Sequence, residues 1–484
     1  MKLTIYAMKN MFRLVWLMIA AAVCAAGLAS CFHGSEPEEE ADRMILMLRM
    51  MPVDADPVMS DSGVKEMIRS IRIILLSYGG GEEDNGNNGE KGIIEYNQRI
   101  VFENPSAVSG FRYDFAWPTF AGKKSLYIVA NEESVTEGVR FLPSDGGTLP
   151  ALSGSLTNLL DGYEAVGKDH LADPAARASC AELVRVLDAV AFKPVYNVEA
   201  GEVFLPYVSY YSAADDIEQL NIKKGDYIGA EAPFELYLVP VATKFTFHFE
   251  NYRPHAVEIN DITLSSAHSE NFLMARVGKV DYKKPFGDIS TDLVSWQDYY
   301  WIDWLAKVSE ASHNHSGADD NRDFNAKYGW ISHYAIPDGN TPEPQQFVEE
   351  PSYVKAADRT GVEDSEEDGI PGTLTLGPFY LPESRNIVRK NQNNIGAETG
   401  SQETDSQQYY LTLGLHDVTH QSSEYDPKFE KQPIDNLEAL FRNTHVKINV
   451  VLRQGNVRVY AEIADWSPKS ANGWVVEGQE PKQQ

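Results

Sequence analysis

Oxygen-bearing side chains recur at alternate positions in one polar stretch of the sequence. They follow the pair His313 and His315, and they are Asp319, Asn321, Asp323 and Asn325. Oxygen ligands at every second position are typical of a calcium loop, in which the sixth residue is Gly and the twelfth is Glu. Here those positions hold Phe324 and Trp330, and the histidine pair lacks a third zinc ligand at a helical or hairpin spacing. The pattern favours a solvated acidic loop over a calcium site, and we predict no metal ligand.

The sequence contains no motif of a catalytic site. GxSxG, HExxH, P-loop and Rossmann signatures are all missing from it. Paired carboxylates that hydrolyse glycosidic bonds leave only weak traces in a sequence, so a secreted hydrolase stays an alternative. We predict that the protein is not an enzyme, with no catalytic residue and no cofactor.

One aromatic cluster has the side chains needed to stack on sugar rings or on the aromatic groups of a partner. Residues 294–308 are predicted to be helical, and they include Trp296, Trp301 and Trp304. At a helical spacing these rings lie on more than one face, which favours core packing for some of them. A surface glycan-binding lipoprotein that uses these tryptophans is therefore an alternative function.

The beginning of the chain is typical of an export signal. Three basic residues precede an apolar run, residues 14–26, that is short for a membrane span and leads into small residues. The sequence LASC at 28–31 resembles a bacterial lipobox, in which the cysteine is acylated and becomes the first mature residue. An ordinary signal peptide is the alternative, but it leaves Cys31 as a free thiol in an oxidising compartment. We predict a signal peptide over 1–30 and a lipid on Cys31 that tethers the precursor to a membrane.

Charge and cysteine content exclude several classes of protein. Without residues 1–30 the chain keeps 39 basic and 71 acidic residues, a net charge of −32. Such a surface excludes binding to nucleic acid by a basic face. Of the three cysteines only Cys180 lies in the mature body, so no disulfide forms there. Cys180 shares the apolar face of a predicted helix at 174–192, which indicates a packed core residue.

Period-two alternation of apolar residues predicts a chain built mainly of strands. Phe245, Phe247 and Phe249 alternate with polar residues most clearly. The predicted strands are residues 44–51, 68–78, 92–102, 125–130, 245–250, 257–264, 409–415, 446–452 and 457–463, with a tight hairpin at 453–456. Further short helices are predicted at 153–165 and 437–441, and a long acidic insertion at about 309–370.

Several separated segments occur in an order that resembles the fimbrillin superfamily, the subunits of type V pili of anaerobic Gram-negative bacteria. In chain order they are the lipobox, an apolar strand between Arg43 and Arg49, IRSIRIILLSY and GIIEYN, SLYIVANEES, VPVATKFTFHFEN, FYLPES and FRNTHVKINVVL. The resemblance spans nearly the whole mature chain except the insertion. No single motif is diagnostic, but the ordered series is fairly specific.

The resemblance implies an all-β fold of two transthyretin-like β-sandwiches, with a few short helices. We expect a tether and removable first strand over 31–49, an N-terminal sandwich over 50–239 and a C-terminal sandwich over 240–484. It also implies export as a lipoprotein to the outer-membrane surface, trimming at an arginine, and replacement of the first strand by a strand of a neighbouring subunit. Arg43 and Arg49 fit the processing site. The removable first strand, whose loss would leave an apolar groove, includes Met44, Ile45, Leu46, Met47 and Leu48.

The position of such a subunit in the pilus depends on whether it donates a strand. Residues 467–484 contain one apolar cluster, Trp474 to Val476, which is poor material for a donor strand that needs alternation over about six residues. We therefore expect an adhesive accessory subunit at or near the tip, with other fimbrial subunits as partners and a host protein or glycan as ligand. A subunit that keeps its lipid and anchors the fimbria is the alternative.

Overall fold

The computed structural model describes the central part of the chain, with gaps. Described are residues 44–52, 64–78, 92–141, 155–196, 198–212, 220–223, 227–228, 233–274, 276–278, 293–295, 343–348, 350–358, 369–385, 409–418, 428–434, 437, 439–440, 442–454 and 456–465. These residues belong to one compact unit, Met44–Gln484.

The described residues form twenty-six strands, of which twelve precede residue 241. Strands β1 to β12 are Met44–Pro52, Lys65–Tyr78, Gly92–Ala107, Tyr113–Thr119, Gly122–Ala130, Glu137–Phe141, Val190–Lys193, Glu202–Val203, Tyr207–Ser212, Asn221–Ile222, Tyr227–Ile228 and Phe234–Pro240. Two α-helices lie among the described residues, α1 (Leu156–Leu160) and α2 (Pro174–Ala189).

Fourteen strands follow. Strands β13 to β26 are Thr243–Asn251, Val257–Ala267, Asn271–Phe272, Arg276–Gly278, Leu293–Ser295, Glu343–Gln346, Ser352–Val354, Gly372–Leu381, Ser384–Arg385, Tyr410–Asp417, Lys428–Pro433, Ala439–Leu440, Thr444–Arg453 and Asn456–Asp465.

The N-terminal half is built on a ten-stranded sheet that folds into two layers. One layer pairs β4 with β1 and β1 with β11 and β12, and the other runs in the order β9-β5-β2-β3. Strand β12 joins them, because it pairs with β1 up to Leu238 and with β9 from Val239. The layers enclose a core that contains β1 side chains together with Ile71, Ile73 and Leu75 of β2.

Helix α2 covers the opposite face of the second layer. Its N-cap is Asp173, whose Oδ1 accepts from the amide of Ala175 at 2.9 Å, and Pro174 occupies the first helical position. The buried helix face, which includes Cys180 and Leu187, packs in a core with Ile74 and Leu76 of β2. Strand β2 is therefore buried on both sides, which explains its nearly continuous apolar sequence.

The C-terminal half is a sandwich of two sheets, β20-β13-β25-β26 and β18-β14-β22-β23, with β19 also paired to β14. Its core contains Phe245, Phe247 and Phe249 of β13, as the alternation predicts. Strands β13 and β25 are parallel, and the hairpin of β25 and β26 is antiparallel.

Buried polar groups join the two halves. Lys244 Nζ donates to Glu66 Oε1 at 2.9 Å, and the hydroxyls of Tyr380 and Tyr207 donate to the same carboxylate at 3.0 and 3.3 Å. Strand β15 also pairs with β7 across the junction. Since one compact unit spans Met44–Gln484, the division into two domains near residue 240 stays a prediction.

The all-β sandwich class is confirmed, and most predicted strands are present. Helix α2 ends at Ala189, because the following residues pair as β7, and α1 covers only Leu156–Leu160 of its predicted range. The helix predicted at 437–441 is wrong, since Ala439–Leu440 pairs with β21. So is the helical prediction for residues 294 and 295, which belong to β17. Short apolar runs do not distinguish a strand from a helix by periodicity.

The predicted insertion is also corrected in part. Glu343–Gln346 and Ser352–Val354, which fall inside the range 309–370, form strands that pair with β14. They belong to the C-terminal sandwich. The sequence EPQQ shows no apolar alternation, and it forms a strand because it pairs with the edge of β14.

Candidate functional site: the groove that holds the first strand

Strand β1 inserts one row of side chains into the N-terminal core. Met44, Leu46, Leu48 and Met50 are at most 2% exposed, whereas the intervening Ile45, Met47 and Arg49 point to the other face and are half-buried. Burying each Leu or Met side chain contributes about 1.5–3 kcal/mol relative to exposure. The strand is therefore an integral part of the hydrophobic core.

Both edges of β1 are paired with other strands. Strand β4 runs antiparallel along the whole of Met44–Met50. Strands β11 and β12 run parallel to β1, from Ile45 to Leu46 and from Leu48 to Pro52 respectively. Removing β1 would leave the edge of β4 unpaired on one side and the edges of β11 and β12 unpaired on the other. These edges would face each other about 9.6 Å apart, which is two inter-strand spacings.

The wall formed by β4 is aromatic. Its residues Tyr113, Phe115 and Trp117 stand directly opposite Met50, Leu48 and Leu46. Residues in opposite register lie on the same face of a sheet. A row of three rings therefore lines the place where the apolar side chains of β1 lie.

The same rings are held from the other layer. Tyr96 of β3 contacts Phe115 and Trp117, with ring centroids 5.2 and 4.3 Å apart. Phe102 of β3 contacts Tyr113 at 5.6 Å. Because side chains of β3 contact the β4 rings across the core, these contacts support a preformed groove when β1 is absent.

Arg49 is the one charged residue of β1, and it lies on the face away from the core. Its Nε donates to Asp114 Oδ1 at 2.7 Å and its Nη2 donates to Asp114 Oδ2 at 2.9 Å. This bidentate hydrogen bond, together with the positive charge of Arg49, holds the pKa of the Asp114 carboxyl below its usual range. On the other edge of β1, the register places Glu235 of β12 alongside Arg49.

The two arginines predicted as processing sites are not equivalent. Arg43 immediately precedes β1, and it lies outside the described residues. Cleavage after Arg43 would leave the whole of Met44–Pro52 attached to the fold. Cleavage after Arg49 would release Met44–Arg49, which carries three of the four inward side chains.

The structure brings together only part of the predicted site. The groove segment Met44, Ile45, Leu46, Met47 and Leu48 forms β1 as expected. Cys31, the tryptophans Trp296, Trp301 and Trp304, and the calcium-like stretch 313–330 lie outside the described residues. The lipid site, the aromatic contact surface and the acidic loop therefore stay predictions.

Sequence reasoning missed the walls of the groove. Strand β4 pairs with β1 along Met44–Met50 and supplies Asp114, yet it had no part in the prediction. A usable signal was present, because YDFAWPT places three aromatic residues at alternate positions. Asp114, the partner of Arg49, lies 65 residues away in the sequence, and no local pattern predicts such a pair.

A second concave feature lies beside β3 and has a volume of about 390 Å³. Its lining includes Arg72, Arg99 and Asp161. Arg72 is already bound by Glu132 at 2.6 and 2.9 Å, by Asp161 at 2.5 Å and by Asn97 at 2.9 Å. This guanidinium fixes β2 to the turn after β5, which is a structural role.

Cys180 is packed as the sequence predicts. Its side chain is fully buried, and this burial raises the pKa of the thiol to about 12. Within the described part of the chain, no three His, Cys, Asp or Glu side chains are grouped to hold a metal ion. No helix in that part is long and apolar enough to cross a membrane.

Comparison with known proteins gives matches among solved structures only. No family model matches the chain, and no curated protein matches its sequence. The chain is similar to the tip fimbrial protein Mfa3 from Porphyromonas gingivalis with C-terminal truncation, with 10% identity and a TM-score of 0.39 over 88% of this chain and 100% of that one. It is similar to a putative cell adhesion protein from Parabacteroides distasonis, with 8% identity and a TM-score of 0.37 over 88% and 98%.

A fimbrilin (fimA) from Porphyromonas gingivalis is also similar, with 10% identity and a TM-score of 0.32 over 88% of this chain and 98% of that one. The structural neighbours are thus fimbrial and cell-adhesion proteins.

Proposed function

We propose that this chain is a structural and adhesive subunit of a cell-surface fimbria, without a catalytic role, and that it accepts a strand of a neighbouring subunit in place of β1. The proposal rests on β1 and on the ordered sequence segments. It agrees with the fimbrial and adhesion descriptions of the structures named above.

The observation that carries the proposal is the way β1 is held. A short segment near the start of the chain fills an apolar groove and pairs on both edges. Its loss would expose unpaired backbone groups and an apolar floor, which together form a template for strand addition. Main-chain hydrogen bonds would supply affinity, and the alternate pockets would supply specificity.

The proposed order of events begins with export as a lipoprotein acylated on Cys31, which delivers the precursor to the outer-membrane surface. β1 completes the fold during this stage and shields the groove. β1 then leaves the groove, cleavage after Arg49 removes Met44–Arg49 together with the lipid, and a strand of the next subunit takes the vacated place. A subunit that is not cleaved keeps its lipid and serves as the anchor of the fimbria.

The N-terminal sequence of the protein recovered from sheared fimbriae tests this proposal. We expect it to begin at Met50, and an Arg49→Ala variant is expected to stay on the membrane and out of the sheared fraction. Arg69→Ala is a matched control, because Arg69 lies on β2 outside the groove strand and pairs with Glu133 at 2.7 Å.

Each outcome of that experiment has a distinct meaning. An N-terminus at residue 31 in assembled fimbriae contradicts strand acceptance in the groove and favours the anchor. An N-terminus at residue 44, with β1 intact but the lipid removed, contradicts strand acceptance without favouring the anchor. A protein that never copurifies with fimbriae contradicts the fimbrial function itself.

A further inference from the structure

We propose that the strand accepted in place of β1 carries alternating large aliphatic side chains and one cation, Arg or Lys, that pairs with Asp114. This inference depends on the proposed strand exchange and adds the chemistry of the partner strand. In β1 the apolar residues occupy positions 44, 46 and 48, and the cation follows at 49. The expected segment therefore reads apolar-x-apolar-x-apolar-cation.

The apolar part of this pattern follows from the walls of the groove. Leu46 and Leu48 lie opposite Trp117 and Phe115, and both leucines are completely buried. A polar side chain at either place would be buried against aromatic rings without a hydrogen-bond partner, which is unfavourable. Large aliphatic side chains at both positions would fill the groove and pack against these rings.

The cation follows from the ion pair of Arg49. Asp114 of β4 binds Arg49 through two hydrogen bonds. Arg49 is 17% exposed and the Asp114 side chain is 54% exposed, so the pair is partly shielded from water.

Trimming makes this pairing available to the partner. Cleavage after Arg49 removes the arginine with the released fragment, so Asp114 loses its bidentate donor. Arg112, which acts electrostatically on the Asp114 carboxyl, stays in place and compensates in part. We therefore expect the cation to select among partner strands and not to supply most of the affinity.

A nicked form of the full chain tests the inference. A cleavage site for a specific protease is inserted between residues 56 and 57, and the folded protein is cut there so that β1 is held without a covalent link. Labelled peptides with the sequence of residues 44–52 then compete for the groove, and fluorescence polarisation gives their relative affinities. The peptides carry Arg, Lys, Gln or Glu at position 49.

We expect the order Arg and Lys, then Gln, then Glu. An exposed ion pair contributes at most about a fivefold gain in affinity, and a like-charge pair costs a similar factor, so Arg exceeds Glu about tenfold. In the Asp114→Arg variant the preference is expected to reverse in favour of Glu. The variant Asp169→Arg is the control, because Asp169 is exposed and lies in a short 3₁₀ helix outside the groove.

The outcomes separate this inference from the proposed function. If no peptide enters the groove, strand acceptance is wrong. If all four enter equally well, strand acceptance stands and the role of the cation is overturned.

A double-mutant cycle in the intact chain covers the case in which nicking unfolds the protein. Arg49→Glu and Asp114→Arg are each expected to lower the folding equilibrium constant, and the double variant is expected to recover at least about fivefold. Additive losses would overturn the inference.

Discussion

Arg49 and Asp114 form a bidentate ion pair between two strands that lie side by side, β1 and β4. Arg49, one of the two residues predicted as the cleavage site, is therefore engaged through its side chain and lies in a strand paired on both edges. A protease must bind an extended backbone and place the arginine in its own specificity pocket. Neither is feasible while β1 occupies the groove, so release of β1 must precede cleavage at Arg49.

Limited proteolysis tests this order of events. A trypsin-like protease is expected to give no fragment with Met50 at its N-terminus from the native chain. The same fragment should appear in urea at concentrations that open β1, and mass spectrometry identifies it. An Asp114→Asn variant should yield it at lower urea, whereas Glu103→Gln, at an exposed site on β3, should behave as wild type. Rapid native cleavage after Arg49 would contradict the assignment of β1 as a closed strand.

Replacing an inward side chain of β1 tests its contribution to the core. Leu48→Ala is expected to lower the free energy of unfolding by about 2–5 kcal/mol, because Leu48 is fully buried opposite Phe115. Met47→Ala is the matched control on the outward face and is expected to cost less than about 1 kcal/mol. Urea denaturation followed by tryptophan fluorescence measures both. Equal effects would show that β1 does not contribute through its inward face.

The pH dependence of stability isolates the Asp114 carboxyl. The hydrogen bonds and charge of Arg49 lower the pKa of Asp114 below its ordinary value of 3.8. The carboxylate therefore stabilises the fold above about pH 4, and this contribution is lost as the pH falls through the lowered pKa. Since Asp114 is 54% exposed, wild type should exceed Asp114→Asn at pH 6 by less than about 1 kcal/mol.

Denaturation of both proteins in urea at pH 6, 4 and 3 checks this prediction. The difference in free energy of unfolding should shrink toward pH 3, because there the unfolded chain takes up a proton on this carboxyl at its ordinary pKa of 3.8. A difference that is constant or grows on acidification would show that Asp114 does not act through its charge.

How far the sequence predicts the fold depends on the strength of local alternation. The segment TKFTFHFEN of β13 is predictable because every second side chain enters a core, and MILMLRMMP of β1 because it is an apolar run with polar flanks. Strand β18, with the sequence EPQQ, has no such pattern and depends on β14 for its conformation. The helix predicted near 437–441 failed for the same reason, because pairing with β21 decides the structure of Ala439–Leu440.

The site was predictable only on one side. Arg49 and the apolar row of β1 are local features of the sequence, whereas removal of the strand is implied only by the family resemblance. Asp114 and Phe115 can be recognised as parts of the site only from the structure, in which β4 lies beside β1. The order of strands in the sheet is set by contacts between distant residues, and periodicity carries no information on it.

The buried pair Glu66 and Lys244 should contribute strongly to the junction of the two halves. Both side chains are 6% exposed and 2.9 Å apart. Glu66→Ala removes the carboxylate beside a buried ammonium, which is expected to cost about 3–5 kcal/mol. The double variant Glu66→Leu with Lys244→Met should recover most of this loss. Urea denaturation of the single and double variants measures the coupling.

An exposed pair provides the control for that measurement. Lys447 and Glu462 lie 3.6 Å apart on β25 and β26, with side chains 41% and 53% exposed. Glu462→Ala should cost less than about 1 kcal/mol. A similar cost at both pairs would contradict a buried polar junction.

Cys180 should report on opening of the N-terminal core. Its thiol is fully buried, and since burial raises its pKa to about 12, only about one molecule in ten thousand carries the reactive thiolate at pH 8. In a Cys24→Ser, Cys31→Ser variant, a thiol reagent is expected to label Cys180 only as the protein unfolds in urea. Val101→Cys with Cys180→Ser is the control, because residue 101 is 59% exposed and should react at once in the native state. Native labelling of Cys180 at the rate of the control would show that α2 does not seal this core.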